Sequence, residues 1–228
     1  MTFSIVARCG RTQSFGVAIS SSSPAVAARC AHARARAGAA ASQNITDPRL
    51  GRQALDLMAA GATAESALAE IRARASHIEY RQLALVDPSG RGAFFSGTHT
   101  LGRHHAIAGP DAVAAGNLLA DVTVPERMLE AFLALKGADL GDRLMAALNA
   151  GLAAGGEEGP VHSAGLLIVR DLPFPITDLR IDWDDAAPIA ALEKAWTIYK
   201  PQREAYITRA LDPAASSAFG VPGDPGRN

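Results

Sequence analysis

The sequence is poor in cysteine and aromatic residues, and it has almost no net charge. Two cysteines, Cys9 and Cys30, occur among 228 residues, which excludes a disulfide framework and a zinc site built on cysteine pairs. Two isolated thiols are typical of a reducing compartment, so we predict a cytoplasmic protein. The formal net charge of −1 argues against a partner that is a nucleic acid or an acidic membrane.

Long apolar runs are also absent. No segment approaches the roughly 20 apolar residues that a transmembrane helix needs, and the first apolar stretch ends at Ala7 with no basic segment before it. The sequence therefore predicts neither a membrane span nor a signal peptide. Hydrophobic residues still make up 48% of the chain and charged residues 20%, as in globular proteins. We expect a single domain over residues 1–210 and a disordered tail over residues 211–228.

Short runs of β-branched and aromatic residues predict strands. Such runs lie at Thr2–Ala7, Phe15–Ser20, Leu83–Asp87, Ala93–Ser96, Ser163–Arg170 and Leu179–Trp183. The first two predict one hairpin, and the next two predict another. Apolar and polar residues alternate within residues 31–43, which favours one more strand, although an alanine-rich helix fits that composition equally well.

The predicted helices come in two pairs, at residues 48–74 and 125–154. A cap residue followed by proline marks the start of the first pair. A last helix is expected to begin at Asp184 or Asp185 and to run through Tyr199. Because strands follow strands and helices follow helices, the order predicts an α+β fold with antiparallel sheets. We expect two packed sheets with the helical pairs on their outer faces.

Cofactor and metal motifs are missing from the sequence. It contains no phosphate-binding loop, dinucleotide fingerprint, nucleophile elbow or His-Glu-x-x-His helix, so we predict no cofactor and no metal ion. His99, His104 and His105 with Asp111 match no ligand spacing. A solvated loop over residues 97–109 is the better interpretation.

Thr2 is the first candidate catalytic residue. Met1 is commonly removed before a small side chain, and removal would leave Thr2 with both a hydroxyl and a free α-amine. Such an amine has a pKa of about 7.7–8.0, so part of it is neutral at pH 7 and can take the hydroxyl proton. The alternative is that Thr2 serves only as a strand residue.

Amide, hydroxyl and guanidinium groups near predicted strand ends are the other candidates. Asn44 and Asn117 are predicted catalytic residues, because a side-chain amide can donate to an oxyanion. Backbone capping is their alternative role. Residues expected to bind substrate are Ser20, Ser21, Arg34, Gln43 and Ser163. For the arginine, an ion-paired surface position is the alternative.

Nine segments in order carry a resemblance to a known family. They are Thr2–Arg8, Phe15–Ala18, Ala33–Arg34, Gly38–Gln43, Leu55–Gly61, Tyr80–Leu83, Ala115–Leu119, Ser163–Leu167 and Asp178–Asp182. Together they resemble DUF1028, an uncharacterised branch of the N-terminal-nucleophile (Ntn) hydrolase superfamily. The resemblance implies a four-layer αββα sandwich of two antiparallel sheets. It also implies amide hydrolysis by a residue at the N-terminus of a strand.

The chain departs from the family pattern at three places that can line a pocket. Ala31-His32 replaces a Pro-Trp pair, Pro160–His162 replaces polar residues, and the loop after Gly97 lacks the usual cysteine and tryptophan. The first hypothesis is an amidohydrolase that acts on a small amide or peptide-like substrate through Thr2. The second is a non-catalytic protein of the same fold that binds a small ligand. In either case we expect a homodimer or larger, because alanine-rich helices leave flat apolar faces.

Overall fold

The computed structural model describes residues 1–216, and the strands within them form two antiparallel sheets. The strands are β1 (Thr2–Cys9), β2 (Ser14–Ser21), β3 (Ala31–Arg34), β4 (Gly38–Asn44), β5 (Arg81–Val86), β6 (Gly92–Ser96), β7 (His105–Gly109), β8 (Ala112–Asn117), β9 (Ser163–Val169) and β10 (Thr177–Ile181). One sheet has six strands in the order β10-β9-β2-β1-β8-β7, and the other has four in the order β3-β4-β5-β6. All neighbouring strands are antiparallel, which confirms the predicted fold class.

The described residues form seven helices, which cover the outer faces of both sheets except for the first, whose buried side chains lie in the layer between the sheets. They are α1 (Val26–Cys30), α2 (Pro48–Ala59), α3 (Ala64–Arg74), α4 (Val124–Ala134), α5 (Leu140–Ala153), α6 (Pro188–Tyr199) and α7 (Arg203–Leu211), with 3-10 turns at Ile78–Tyr80 and Lys200–Gln202. The Asp47 carboxylate accepts from the Arg49 N–H and caps α2. The Thr63 hydroxyl caps α3 in the same way. Side-chain caps of this kind satisfy N–H groups that the first helical turn leaves free.

Side chains of successive strand residues point to opposite faces of each sheet, and this alternation divides the core into three apolar layers. Phe3 and Ile5 of β1 face α4 and α5, whereas Val6 faces the four-stranded sheet. Leu83 and Leu85 of β5 pack against α2 and α3. The order of layers is therefore helix, sheet, sheet, helix, and the predicted αββα sandwich is confirmed, with the predicted helical pairs on its outer faces.

The structure differs from the sequence prediction in several elements. Residues 31–43 form the hairpin β3-β4 rather than one strand, and Arg36 takes a left-handed φ of 63° in its turn. The predicted loop at residues 97–109 contains the edge strand β7. The helix predicted from Asp184 or Asp185 begins at Pro188, after Asp184 has accepted from two backbone N–H groups. The short helix α1 and the helix α7 were not predicted.

The predicted C-terminal tail falls partly outside the part of the chain that the structure describes. Leu211 is the last residue of α7, and residues 212–216 follow it as a turn. Residues 217–228 lie outside the described residues. Within residues 1–216 no helix is both long enough and apolar enough to cross a bilayer.

Candidate functional site

A row of polar residues crosses the six-stranded sheet at the N-terminal end of β1. Thr2 lies opposite Asn117 of β8, and the register of β1 with β2 places Ser21 on its other side. Ser21 in turn lies opposite Ser163 of β9. Because neighbouring strands are about 4.7–4.9 Å apart, the four residues lie side by side within roughly 15 Å. We call Asn117, Thr2, Ser21 and Ser163 the Thr2 row.

A second polar row faces the Thr2 row from the four-stranded sheet. Gln43 of β4 lies opposite Gln82 of β5, which lies opposite Ser96 of β6. The two glutamines are 1% and 0% exposed, so their amides must find partners inside the protein. We call Gln43, Gln82 and Ser96 the glutamine row.

Hydrogen bonds between side chains join the two sheets at this end. Ser4 Oγ donates to Gln43 Oε1 at 2.7 Å, and Gln43 Nε2 donates to Gln82 Oε1 at 2.8 Å. Asn117 Nδ2 also donates to Gln82 Oε1, at 3.1 Å. Gln82 Nε2 completes the network by donating to the Gly116 carbonyl oxygen at 3.0 Å. Each amide therefore has a defined orientation, and the sheets cannot slide past each other without breaking these bonds.

One atom in this network has no hydrogen-bond partner within residues 1–216. Asn117 Oδ1 is buried and receives no hydrogen bond from residues 1–216. Turning the Asn117 amide over would place its oxygen against Gln82 Oε1, where Nδ2 now donates. An unpaired buried acceptor costs about 1–3 kcal/mol. Asn117 Oδ1 is therefore available to an N–H donor that enters the site.

The Thr2 hydroxyl is enclosed by Met1 and Ser21. Thr2 is 4% exposed, and Thr2 Oγ1 lies 3.4 Å from Ser21 Oγ. Both hydroxyls also contact the Met1 carbonyl oxygen. While Met1 is present, the nitrogen of Thr2 is a peptide amide without basicity, and the carbonyl group occupies the space in front of both hydroxyls.

Two of the predicted serines stabilise the backbone near the Thr2 row. Ser163 Oγ donates to the Ser23 carbonyl oxygen at 2.6 Å and accepts from the Val26 N–H at 3.2 Å. It thereby fixes the connection between β2 and α1. Ser20 lies on the opposite face of β2 from Ser21, and its hydroxyl donates to the Ser163 carbonyl oxygen at 2.9 Å. Of the serines predicted on β2, Ser21 alone shares a face with Thr2.

Asn44 and Arg34 do not lie with Thr2. Asn44 has a left-handed φ of 74°; its Nδ2 donates to the Tyr80 carbonyl oxygen at 2.7 Å, and its Oδ1 accepts from the Leu101 N–H at 3.2 Å. It thus holds two loops together. Arg34 lies at the other end of the β3-β4 hairpin and pairs with Asp56 of α2 at 2.8 Å. In the structure Arg34 takes the ion-paired surface position considered above.

Glu157 is a buried carboxylate that the sequence did not indicate. It is 4% exposed, and both of its oxygens accept from the Ser22 N–H, at 3.2 and 3.1 Å. Burial raises the pKa of Glu157 to about 7, although the positively charged chain terminus and the Ser22 hydrogen bonds act in the opposite direction. Glu157 lies in a glycine-rich loop after α5, where an acidic residue normally faces solvent. No local signal could have identified it.

The histidines of residues 97–109 and a groove between two helices do not join the Thr2 row. Among residues 1–216, no three His, Cys, Asp or Glu side chains are placed to hold a metal ion. His105 pairs with Glu126 at 3.0 Å, and His99 lies against the Tyr80 ring. A groove between α2 and α3, lined by Gln53 and other side chains, is separated from Thr2 by the four-stranded sheet.

Comparison with known proteins assigns the family. The model of DUF1028, described as a family of unknown function, matches residues 2–192. This chain belongs to DUF1028. The match includes Thr2, both polar rows and Glu157.

A solved DUF1028 structure is similar to this one. It is the crystal structure of a protein from Silicibacter pomeroyi, with 31% sequence identity and a TM-score of 0.80. The similarity covers 87% of this chain and 88% of that chain. A search of curated proteins finds no match. The comparisons thus assign this chain to a family of unknown function.

Proposed function

We propose that this DUF1028 protein is an amidohydrolase of the Ntn type, which cleaves a small amide or peptide-like substrate through Thr2. The observation that supports this most is the position of Thr2. It is the first residue of an inner strand, buried, with Ser21 on one side and Asn117 on the other. A strand that begins with a hydroxyl residue among polar groups is suited to nucleophilic attack once Met1 is removed.

The reaction would use one residue as both nucleophile and base. Thr2 Oγ1 attacks the substrate carbonyl carbon, and its proton passes to the Thr2 α-amine. The C–N bond of the tetrahedral intermediate then breaks, and the leaving amine takes the proton from the α-ammonium group. Water attacks the resulting ester and gives a proton to the α-amine. The C–O bond to Thr2 Oγ1 then breaks, the α-ammonium group returns its proton to Oγ1, and the acid leaves with the hydroxyl restored.

Neighbouring polar groups have defined parts in this proposal. Ser21 Oγ, 3.4 Å from Thr2 Oγ1, orients the hydroxyl. The oxyanion is held by backbone N–H groups and by Asn117, whose Nδ2 has a second hydrogen besides the one donated to Gln82. Asn117 Oδ1 and the glutamine row bind polar atoms of the substrate. Asn44 contributes by holding the loops next to the site.

The second candidate is a non-catalytic protein that binds a small ligand in the same place. The buried acceptor Asn117 Oδ1, which has no partner within residues 1–216, favours it, because a ligand with an N–H group would satisfy this atom without any need for a free amine on Thr2. In both cases we propose a cytoplasmic protein that needs no cofactor.

Hydrolysis of a panel of small amides by wild type and Thr2→Ala tests the proposal. Intact-mass spectra of each preparation report whether Met1 is present. We expect hydrolysis by wild type without Met1, partial activity for Thr2→Ser and none for Thr2→Ala, since nucleophile and base are lost together. Thr12→Ala, at the far end of the β1-β2 hairpin, is the matched control and should retain activity.

Two results would contradict the amidohydrolase proposal. Thr2→Ala that cleaves a substrate at the wild-type rate excludes Thr2 as the nucleophile. Met1 retained in all molecules, together with no hydrolysis of any amide, favours the ligand-binding protein.

A further inference from the structure

Glu157 lies where β1 would continue if it extended beyond Thr2. β1 is flanked by β2 and β8, and the chain continues past both neighbours at this end. On the β2 side, the Ser22 N–H donates to both oxygens of Glu157. On the β8 side, Leu119 forms an antiparallel bridge with Glu157.

The backbone bonds of Leu119 show on which side of β8 Glu157 lies. The Leu119 N–H donates to the Arg103 carbonyl oxygen at 2.9 Å, and Arg103 precedes β7 on the far side of β8. Glu157 therefore pairs with Leu119 from the side of β1. The loop that carries Glu157 packs on β1 itself, since a Cβ added at Gly156 would lie 3.3 Å from the Phe3 ring.

The terminal amine of the chain lies near this carboxylate, because Glu157 is in line with β1, which begins at residue 2. Its positive charge lowers the pKa of Glu157, while burial raises it. Removal of Met1 moves the amine one residue along the chain, onto Thr2, at the start of β1. The other carboxylate of this loop, Glu158, is half-exposed and pairs with Arg103 at 2.8 Å. Glu157 is thus the carboxylate of the loop that is free to interact with the amine.

We propose that Glu157 is a positioning residue that holds the α-ammonium group of Thr2 through the reaction. This inference rests on the proposed function, because it concerns the ammonium formed when the α-amine takes the hydroxyl proton. The proton stays on the nitrogen until the leaving amine accepts it, and the carboxylate stabilises the positive charge meanwhile. An opposite charge at close range favours the charged form of a group.

Several other titratable or charged groups lie at this end of the sheets. They are Arg29, Cys30, Arg103, Glu158 and His162. The Cys30 thiol is held neutral, since burial raises its pKa. The opposite charges of Arg103 and Glu158 neutralise each other. Glu157 is accordingly the group whose removal should change the basicity of the amine most.

The pH dependence of reductive methylation of the α-amine tests this. Full-length protein is treated with a methionine aminopeptidase until intact mass shows Thr2 as the first residue. Methylation of the Thr2 peptide is then measured by mass spectrometry between pH 5 and 10. Glu157→Gln, which keeps an oxygen for the Ser22 N–H, should lower the midpoint by about one pH unit or more. Glu157→Asp keeps the charge and should remain near wild type, and Glu158→Gln is the matched control.

An unchanged midpoint in Glu157→Gln overturns the inference. If that variant does not fold, the wild-type midpoint is compared with that of a free peptide of residues 2–8. A wild-type midpoint above the peptide's supports the inference, and one at or below it overturns it. These measurements need no substrate. Failure of Glu157 as a positioning residue would therefore be seen in the methylation midpoints, whereas failure of Thr2 as a nucleophile would be seen in the hydrolysis assay.

Discussion

Ser4 Oγ and Gln43 Oε1 are joined by a hydrogen bond of 2.7 Å that connects the two sheets through their side chains. Both residues are buried, and Gln43 Oε1 receives this bond deep between the sheets. Ser4 lies two residues along β1 from Thr2, on the same face of the strand. The bond therefore fixes the four-stranded sheet in place opposite the proposed nucleophile.

Ser4→Ala should lower the free energy of unfolding by about 1–3 kcal/mol, because Gln43 Oε1 loses its partner in a place that water does not reach easily. Urea unfolding followed by circular dichroism measures the change. Ser76→Ala, at an exposed position after α3, is the control and should stay within about 0.5 kcal/mol of wild type. Equal stability of Ser4→Ala and wild type would mean that the bond contributes nothing.

In the protein with Met1 present, the contribution of Glu157 to stability should fall as the pH rises from about 5 to 8. Its pKa is about 7 in the folded protein and near 4.5 when unperturbed, so the folded state keeps a proton that the unfolded chain has already lost. The stabilisation that this proton provides is complete at a pH below the pKa of Glu157 in the unfolded chain. It is lost as the pH rises through the pKa of Glu157 in the folded protein. The shift corresponds to about 3 kcal/mol.

Unfolding free energies of wild type and Glu157→Gln measured across this pH range check the prediction. Glutamine does not titrate, so the difference between the two proteins should change by about 3 kcal/mol. Glu158→Gln should follow wild type at every pH. Parallel curves for wild type and Glu157→Gln would show that Glu157 titrates normally.

Gly51→Ala should destabilise the protein, because α2 lies directly on His32 at this position. A Cβ on residue 51 would lie 2.1 Å from His32 Cδ2, and overpacking of this kind costs about 1–3 kcal/mol. Thermal unfolding measures it. The cost should shrink in a His32→Ala background, where the clash is gone, whereas Gly159→Ala, with open space around residue 159, should be nearly neutral. An undiminished cost in the His32→Ala background would show that contact with His32 is not its cause.

We expect a homodimer or larger assembly in solution. Several large apolar side chains are exposed toward the C-terminal end of the described chain, including Trp183, Ile198 and Leu211. Apolar surface of this kind is usually covered by a partner. Multi-angle light scattering at micromolar concentration should give at least twice the chain mass of 23.6 kDa. A single species at the chain mass contradicts the expectation.

Local patterns were sufficient to predict the elements whose signals are strong. The pair α2-α3 could be predicted because Asp47-Pro48 and Thr63 mark helix starts and apolar residues follow at helical spacing. The hairpin β3-β4 could not, because alanine fits helix and strand alike and β4 is buried on both faces. The edge strand β7 lacks β-branched residues except Ile107, so its pairing with β8 determines its conformation.

Only part of the candidate site could be predicted from the sequence, because pairing between distant strands brings several of its residues together. Thr2 stood out through its place in the chain, but its neighbour Asn117 is brought to it by the register of strands more than 100 residues apart. Gln43 and Asn44 look equivalent in sequence, yet alternation places one between the sheets and the other against the loops. Gln82 was missed because its burial comes from the packing of two sheets rather than from local pattern.

The position of Glu157 in line with β1 has a practical consequence for handling the protein. A peptide joined ahead of Met1 cannot extend β1, since the space beyond Thr2 is filled between Ser22 and Leu119. It has to leave the line of β1 at Met1, whose carbonyl oxygen already contacts the Thr2 and Ser21 hydroxyls. The proposed mechanism needs a free amine on Thr2, so affinity tags for purification belong at the C-terminal end, and a correctly folded protein with an uncleaved N-terminal tag should show no hydrolysis.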